Sequence, residues 1–543
     1  MNRIKEQDSG TISVADITIA QLSRGLYRST ATAFKELVNN AYDADATVVR
    51  IDTNYPEFDF ISCVDNGSGM PLKEFLRYFR DEGIGSCIKR KGAKDTTAVY
   101  NRPVIGRLGI GMLAVGQLCH SFEIESHYKD DDEVDKAFHA TIVLLEDTIP
   151  DIERVIRDED LDKKEIDVGL WAYEEIPYDE SKKGFRVYSS DVRNTYLNEM
   201  KSSVDKKTHE MLSFNLPTLH SEFYDQVGKS IRECKPYLET IWELCILCPL
   251  PYYGEIHEFP TKLSLFKEED ITDEAGQALT MIRDRQSRFG NWEFRVVFDG
   301  IDLRRYIQFP TKPQANPRLF YISFDDVVAD EPLRFSGYIF GQTQAVTPLE
   351  LNGVQIRLRA VGIGGYDSTF LKYYRQIETI RSRWVSGEIF VDDGLERALN
   401  IDRDSFNEHD EHFKRLQEKL HEKLDTVFNK LDSIARAQQE EKRNVKDELL
   451  KGSMQGIVAK QSQGKFKLLQ YDLGSSGPVV SVDEGKGEIV LNTASRPLRK
   501  KKADTILRHA ILAYHISRKI AKTEEEQYDI FYRLIKDILR ELT

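Results

Sequence analysis

The stretch FKELVNNAYDAD at residues 34–45 predicts a helix with two different sides. The apolar side spans about 100° of a helical wheel, the width of a face that packs on a core. It consists of Phe34, Leu37, Val38 and Ala41. Glu36, Asn40 and Asp43 fall within about 60° on the opposite side, where two carboxylates and an amide suit a metal ion or a water nucleophile. An ordinary solvated face is the alternative.

A second motif, VDNGSGM at residues 64–70, follows a predicted strand. Asp65 stands at the end of that strand, where its carboxylate can accept a hydrogen bond from an exocyclic amine such as that of adenine. Gly67 and Gly69 allow the backbone to pass close to a flat ligand or to take a positive φ. Plain turns also carry the pattern D-x-G-x-G, so the motif alone does not separate a ligand site from a turn.

A third motif, GRLGIGMLAVG at residues 106–116, places three glycines before an apolar helix. Backbone N–H groups in such a turn, together with a helix N-terminus, form a site for phosphates. The motif is not a P-loop, because no GK[ST] follows, and no clean strand–turn–helix unit surrounds it as in a dinucleotide fingerprint.

In this order, the three motifs resemble the series found in the GHKL ATPases. That superfamily includes histidine kinases, DNA gyrase B, the ninety-kilodalton heat-shock chaperones and the mismatch-repair clamp ATPases. The resemblance implies a domain that binds ATP and Mg²⁺, with Glu36 as the general base that activates water. It makes Asn40 the Mg²⁺ ligand, which suits an ion that keeps waters and phosphate oxygens as its other ligands. It makes Asp65 the residue that reads adenine.

The resemblance implies further nucleotide-binding positions, several of them in a loop at residues 83–106 that looks like the lid over the phosphates. These positions are Asp43, Gly67, Gly69, Met70, Ser86, Lys89, Gly106, Gly109, Ile110 and Gly111. Relatives often carry Gly-Thr on a later strand. The nearest match in this chain is Gly184-Phe185, and its missing hydroxyl group puts that contact in doubt.

The segment WVSGEIFVDDGLERALNIDRDSFNE at residues 384–408 resembles the middle domain of the heat-shock chaperones, which supplies an arginine to the γ-phosphate. Arg403 is the matching residue. A guanidinium from a second domain can neutralise charge on the transferring phosphoryl group, so hydrolysis would depend on domain docking. Alternatively, Arg403 pairs with a neighbouring carboxylate. We interpret Arg357 and Arg359, a weaker cluster, as solvated strand residues.

The pattern along the chain predicts an α+β protein: a Bergerat-type α/β sandwich, a second α/β domain, a long helix and a small C-terminal α/β region. The predicted parts are 1–235, an ATP-binding domain with an acidic insertion or connector at 146–235; 236–410, a middle or transducer domain; 411–455, a long helix; and 456–543, a small domain. The apolar stripe of the long helix fits a coiled coil, or a helix that lies on its own domain.

Composition narrows the class of protein. The formal net charge of −14 argues against overall attraction to nucleic acid, although it leaves room for a local basic segment such as RPLRKKK at 496–502. Six cysteines do not make a disulfide framework, and Cys245 and Cys248 lack further zinc ligands nearby, so buried thiols are expected. Without a signal peptide or a bilayer-spanning apolar run, we expect a cytoplasmic protein.

We therefore predict a Mg²⁺-dependent ATPase that works as a conformational switch. By resemblance it would be a homodimer acting on a protein client, as the heat-shock chaperones do. The acidic charge and the segment at 384–408 favour this prediction. The alternative is a nucleic-acid clamp like the mismatch-repair, topoisomerase or MORC relatives, or one component of a phage-defence system.

Overall fold

The structure is a computed structural model of the 543-residue chain. It describes residues 8–14, 29–81, 96–105, 111–144, 166–202, 236–252, 273–305, 315–347, 349–374, 379–400, 405–461, 464, 466–483, 485–495 and 503–541. The chain divides into two compact units, Met1–Leu431 and Asp432–Thr543.

A nine-stranded sheet forms the base of the first unit. Its strands are β1 (Asp8–Val14), β2 (Val48–Asp52), β3 (Ile61–Asp65), β4 (Cys119–Lys129), β5 (Asp135–Leu144), β6 (Ile166–Ile176), β7 (Gly184–Val192), β8 (Arg295–Phe298) and β9 (Ile301–Asp302). They lie side by side in the order β1-β6-β5-β4-β7-β3-β2-β8-β9. Only β2 and β8 pair in parallel. The predicted strand pair at 47–53 and 58–65 is confirmed as β2 and β3.

Helices accompany this sheet, and the last of them packs on the second sheet described below. They are α1 (Thr30–Asp43), α2 (Leu72–Leu76), α3 (Asn194–Lys201), α4 (Pro236–Leu247) and α5 (Asp273–Asn291). Ser29 begins α1, since its hydroxyl accepts the Thr32 N–H and donates to Glu243 of α4. The predicted apolar face of α1 is confirmed, because Phe34, Leu37, Val38 and Ala41 are buried in the core.

The interpretation of residues 146–235 as an insertion or connector is wrong for the middle of that segment. Residues 166–192 supply β6 and β7, and β7 lies between β4 and β3 near the centre of the sheet. Acidic segments flank these strands in the sequence. The alternation of apolar and polar residues within the strands is therefore hard to recognise. The sheet also continues past the expected limit at residue 235, because β8 and β9 extend it beyond β2.

A five-stranded sheet forms the second part of this unit. Its strands are β10 (Arg318–Val328), β11 (Glu331–Gly341), β12 (Gly353–Leu358), β13 (Val361–Asp367) and β14 (Val385–Asp393), in the order β10-β11-β14-β12-β13. A short helix, α6 (Thr379–Ser382), precedes β14. Helix α4 joins the two parts, since the Arg357 guanidinium of β12 donates to the Ile246 carbonyl oxygen.

The long helix α7 (Glu411–Gln461) begins at the predicted residue. Over its first turns the apolar stripe lies on its own domain, which was one of the two alternatives. The side chains of this stripe that are buried are Phe413, Leu416, Leu420, Leu424, Val427 and Leu431. Leu431 packs so closely that a Cβ added to Gly341 would come within 2.8 Å of its Cδ1.

The second unit has a small three-stranded sheet and two helices, in agreement with the predicted C-terminal α/β region. Its elements are β15 (Lys467–Tyr471), β16 (Val480–Asp483), β17 (Glu488–Asn492), α8 (Ala503–Ile520) and α9 (Glu524–Glu541). In the described part of the chain, no helix combines the length and the apolar character needed to cross a bilayer.

Two-residue turns close the hairpins β10–β11 and β12–β13 without glycine. Leu358 pairs directly with Val361, and both intervening residues take positive φ, 50° at Arg359 and 79° at Ala360. Such turns favour Asn-Gly, because a Cβ in the left-handed region meets the neighbouring backbone. The hairpin β12–β13 therefore holds Arg359 in a backbone conformation that costs stability.

Replacement of Ala360 by glycine should raise the free energy of unfolding by about 1 kcal/mol, because glycine takes positive φ without strain. Urea unfolding followed by circular dichroism measures the change. Ser287→Gly, on the exposed side of α5, is the control and should lower the free energy by about 0.5 kcal/mol. Destabilisation by Ala360→Gly would contradict the strain assigned to this turn.

Candidate nucleotide site

Helix α1 brings its three predicted site residues into different surroundings. Glu36 is only 3% exposed, Asp43 is half-buried and Asn40 is exposed. Lys35 and Asn39 are also buried, so α1 is covered on a second side in addition to its apolar face. The expectation of one open polar face therefore holds for Asn40 but not for Glu36.

Residues 96–105 are tied to the C-terminal end of α1 by two aspartates. Asp43 Oδ1 accepts the backbone N–H of Ile105 at 2.7 Å. Asp45 accepts the N–H of Val99 at 2.8 Å and the hydroxyl of Thr97. The sequence implied a nucleotide role for Asp43, and the structure adds an anchoring contact to the loop that was predicted to close over phosphates.

Arg102, which belongs to the same loop, binds the loop to the end of α1. Its guanidinium is fully buried and donates to the carbonyl oxygens of Tyr42, Ala46 and Trp292. It also lies over the Tyr100 ring, 4.6 Å from the centroid. Burial lowers the pKa of this guanidinium. No motif in the sequence pointed to Arg102, because its partners are backbone oxygens that leave no sequence pattern.

Asp65 ends β3 as predicted, with its carboxylate buried below the sheet edge. One oxygen accepts the Gly67 N–H at 2.8 Å. Burial raises the pKa of Asp65 to about 6, against the lowering effect of backbone N–H groups from Gly67 and Phe185. A buried carboxylate that ionises near pH 6 is a strong acceptor for a donor of a bound base.

The glycines around Asp65 are required by the protein's own backbone. A Cβ on Gly67 would lie 2.6 Å from the Ala44 carbonyl oxygen. Gly69 takes a φ of 72°, and a Cβ there would meet the His127 carbonyl oxygen at 2.6 Å. Gly184 lies against Asp65 itself, since a Cβ would come within 2.1 Å of the Asp65 backbone oxygen. Gly184-Phe185 therefore adjoins Asp65, as the sequence match suggested, without the hydroxyl group.

Met70 continues the turn after Gly69. Its backbone N–H donates to Ser126 Oγ at 2.8 Å, and that hydroxyl donates back to the Met70 carbonyl oxygen at 2.9 Å. The pair ties the end of the motif to β4. Gly111 begins a short 3₁₀ helix, Gly111–Gln117, in place of the predicted α-helical start. The remaining predicted site residues, Ser86, Lys89, Gly106, Gly109, Ile110 and Arg403, lie outside the described residues.

A cavity of about 290 Å³ separates α1 from the second sheet. Glu36 and Asn39 line it from α1, and Val104 and Ile105 from the anchored loop. The second sheet and the segment after it contribute Leu358, Arg359, Val361, Ile363, Glu396, Arg397, Leu399 and Asn400. The predicted general base and the segment directly before Arg403 therefore face the same space.

The interpretation of Arg357 and Arg359 as solvated residues is wrong. Arg357 is fully buried and donates from Nε to Glu388 Oε1 at 2.7 Å, and Arg305 lies nearby. Burial raises the pKa of Glu388, but the attraction of Arg305 and Arg357 outweighs it, so the pKa lies below its usual value. All six residues of β12 are buried, so the strand has no alternating exposed side from which the sequence could have located Arg357.

The two cysteines at positions 245 and 248 are buried thiols, as predicted. Burial raises the pKa of both. In the described part of the chain no group of three or more His, Cys, Asp or Glu side chains is arranged to hold a metal ion. A magnesium ion with one protein ligand needs no such group.

Residues 27–155 match a family described as "Histidine kinase-, DNA gyrase B-, and HSP90-like ATPase". This segment belongs to the GHKL ATPase superfamily. The GHKL match confirms the predicted fold class and implies ATP binding and ATPase activity in general. It does not single out the heat-shock branch.

Individual proteins similar to this chain include a curated relative and a solved structure. A "Putative type II restriction enzyme HgiDII" from Herpetosiphon aurantiacus is 38% identical over 124 residues, which is 22% of this chain and 18% of that protein. A solved chain titled "Crystal Structure of N terminal domain of a DNA repair protein" shares 12% identity and covers 76% of this chain and 98% of its own length. Its TM-score of 0.33 is too low to carry an argument.

Proposed function

We propose that this protein is an ATP-binding and ATP-hydrolysing conformational switch in which the second sheet completes the nucleotide site of the GHKL domain. The observation that carries the proposal is the shared cavity between Glu36 and the segment that ends at Asn400. Hydrolysis would then depend on how the second sheet lies against α1.

Asp65 and Asn40 would hold the two ends of the nucleotide. The ionised carboxylate of Asp65 would accept a hydrogen bond from the exocyclic amine of adenine, and its burial makes that bond strong. The exposed amide of Asn40 would supply the protein oxygen to Mg²⁺. When bound, the metal would neutralise charge on the phosphate oxygens.

Glu36 would orient and deprotonate the attacking water. Its carboxylate is nearly inaccessible to bulk solvent and borders the cavity. Such a position lets a side chain act on one bound water without competition from the surrounding solvent.

Arg403 would supply the guanidinium from the second domain. It follows Asn400 by three residues, and Leu399 and Asn400 line the cavity with Glu36. The Asn400 N–H donates to the Ser405 carbonyl oxygen at 2.9 Å, so the two ends of the segment that carries Arg403 are joined. The positions of Leu399 and Asn400 support this role for Arg403, and two further arginines, Arg359 and Arg397, line the same cavity.

Glu36→Gln should leave the affinity for ATP within about threefold of the original, because the amide keeps the size of the side chain. The turnover number should fall by about a hundredfold or more, since the base is lost. Isothermal titration with ATP and steady-state phosphate release measure the two quantities. Glu57→Gln, an exposed carboxylate of the same domain, is the matched control. Unchanged turnover in Glu36→Gln would remove Glu36 from this role.

A second candidate is action on nucleic acid in place of a protein client. A groove of about 220 Å³ opens on the sheet face opposite α1, lined by Arg50, Lys182, Lys183 and Arg186 together with Glu125 and Asp65. Four cations against two acids leave this groove positive on an acidic chain, which suits a phosphate backbone. The name of the relative, a putative type II restriction enzyme, favours the same candidate. The protein client and the homodimer implied by the chaperone resemblance stay predictions.

Filter binding of duplex DNA across a salt series separates the two candidates. A nucleic-acid clamp should bind with an affinity that falls steeply with salt, and the double variant Arg50→Glu, Lys183→Glu should weaken binding at low salt by about tenfold or more. The double variant Lys414→Glu, Lys430→Glu, at exposed positions of α7, makes the same change in net charge and is the control. Absence of salt-sensitive binding would leave the protein client as the candidate.

A further inference from the structure

Arg359 occupies the strained tip of the β12–β13 hairpin. Its φ of 50° and that of Ala360, 79°, lie in the left-handed region. The turn is held in place by Arg357, which donates to the Ala360 carbonyl oxygen at 2.8 Å. Strained backbone that the surrounding structure maintains is concentrated at functional sites, so the contacts of the Arg359 side chain are of interest.

The Arg359 guanidinium is fixed within its own domain by Glu396. Nε and Nη2 both reach Oε1, at 2.8 and 2.7 Å, and the side chains are 12% and 19% exposed. The second carboxylate oxygen of Glu396 accepts the Gly394 N–H at 3.1 Å. Because the guanidinium is planar and rigid, the contacts of Nε and Nη2 with Glu396 also fix the position of Nη1.

That third nitrogen reaches the loop of the GHKL domain. Arg359 Nη1 donates to the Val104 carbonyl oxygen at 2.9 Å. The N–H of the same peptide group, which belongs to Ile105, donates to Asp43 Oδ1 at 2.7 Å. A cation on the oxygen and an anion on the N–H polarise one amide in the same sense, so each bond strengthens the other.

This peptide group stands directly before Gly106, the first glycine of the turn that the GHKL resemblance directs at the phosphates. We propose that Arg359 is a positioning residue that ties the backbone at Val104 and Ile105, which precedes this turn in the sequence, to the second sheet. The peptide group between Val104 and Ile105 forms the bridge between Arg359 and Asp43. The inference rests on the proposed function for the role of the turn, whereas the bridge itself is independent of it.

Hydrogen exchange of the full-length protein without nucleotide tests the bridge. In Arg359→Ala the Ile105 amide should exchange about tenfold faster, since the polarising cation is lost from its peptide group. Arg359→Lys should restore part of the protection, because lysine keeps the charge but not the fork. Arg334→Ala, which removes an exposed ion pair with Asp325 on the same sheet, should leave Ile105 unchanged. Unchanged exchange in Arg359→Ala would overturn the bridge.

ATPase kinetics on the same variants test the role of the turn. Arg359→Ala should raise KM for ATP about tenfold and change kcat much less, because a loosened phosphate turn weakens nucleotide binding. Faster exchange with an unchanged KM would overturn the positioning role while leaving the proposed ATPase intact. If the unmodified protein does not bind ATP, the proposed function is wrong. The hydrogen-exchange result would still show whether the bridge between Arg359 and Asp43 exists.

A second variant distinguishes a general folding defect of Arg359→Ala from the loss of the contact between Arg359 and Val104. Glu396→Gln removes the charge that orients Arg359 without truncating either side chain, so it should raise both the Ile105 exchange rate and KM in the same direction as Arg359→Ala, by a smaller factor. If Arg359→Ala does not fold, Glu396→Gln alone decides the proposal by the same two readouts.

Discussion

One peptide group, between Val104 and Ile105, links the two halves of the first unit. Arg359 binds its oxygen from the second sheet and Asp43 binds its N–H from α1, and both partners are charged. A charged partner on each side makes such a bond about twice as strong as a neutral one. The position of the backbone at Val104 and Ile105 therefore depends on where the second sheet lies.

The C-terminal end of α1 is the centre of this arrangement. Asp43, Asp45 and Arg102 all hold the loop at 96–105 against it, through backbone groups of the loop or of the helix end. The same helix carries Glu36 and Asn40. A movement of the loop and a movement of the predicted catalytic residues would therefore be mechanically connected, which is the property a nucleotide switch requires.

Local patterns predicted much of this molecule. The apolar side of α1, the pair β2–β3, the position of Asp65 and the start of α7 follow from periodicity and turn residues within a few positions, whereas the burial of Glu36 does not. Strand β6 was missed because acidic residues surround it, and β7 was indicated only by the match at Gly184-Phe185. The burial of Arg357 in β12 was missed because a strand covered on both faces loses its alternation. The bond from Arg359 to Val104 joins residues 255 apart in the chain, and no local pattern records such a contact.

The central claim is that a nucleotide base binds at the buried carboxylate of Asp65. The most direct measurement is the dissociation constant for ATP between pH 7.5 and 5, in the original protein and in Asp65→Asn. Because the pKa of Asp65 is raised to about 6, protonation below that pH removes the charged acceptor, and binding should weaken by up to about tenfold per pH unit. Asp65→Asn should bind weakly throughout and retain only the pH dependence of the nucleotide itself. Equal affinities for the two proteins across this range would contradict the account.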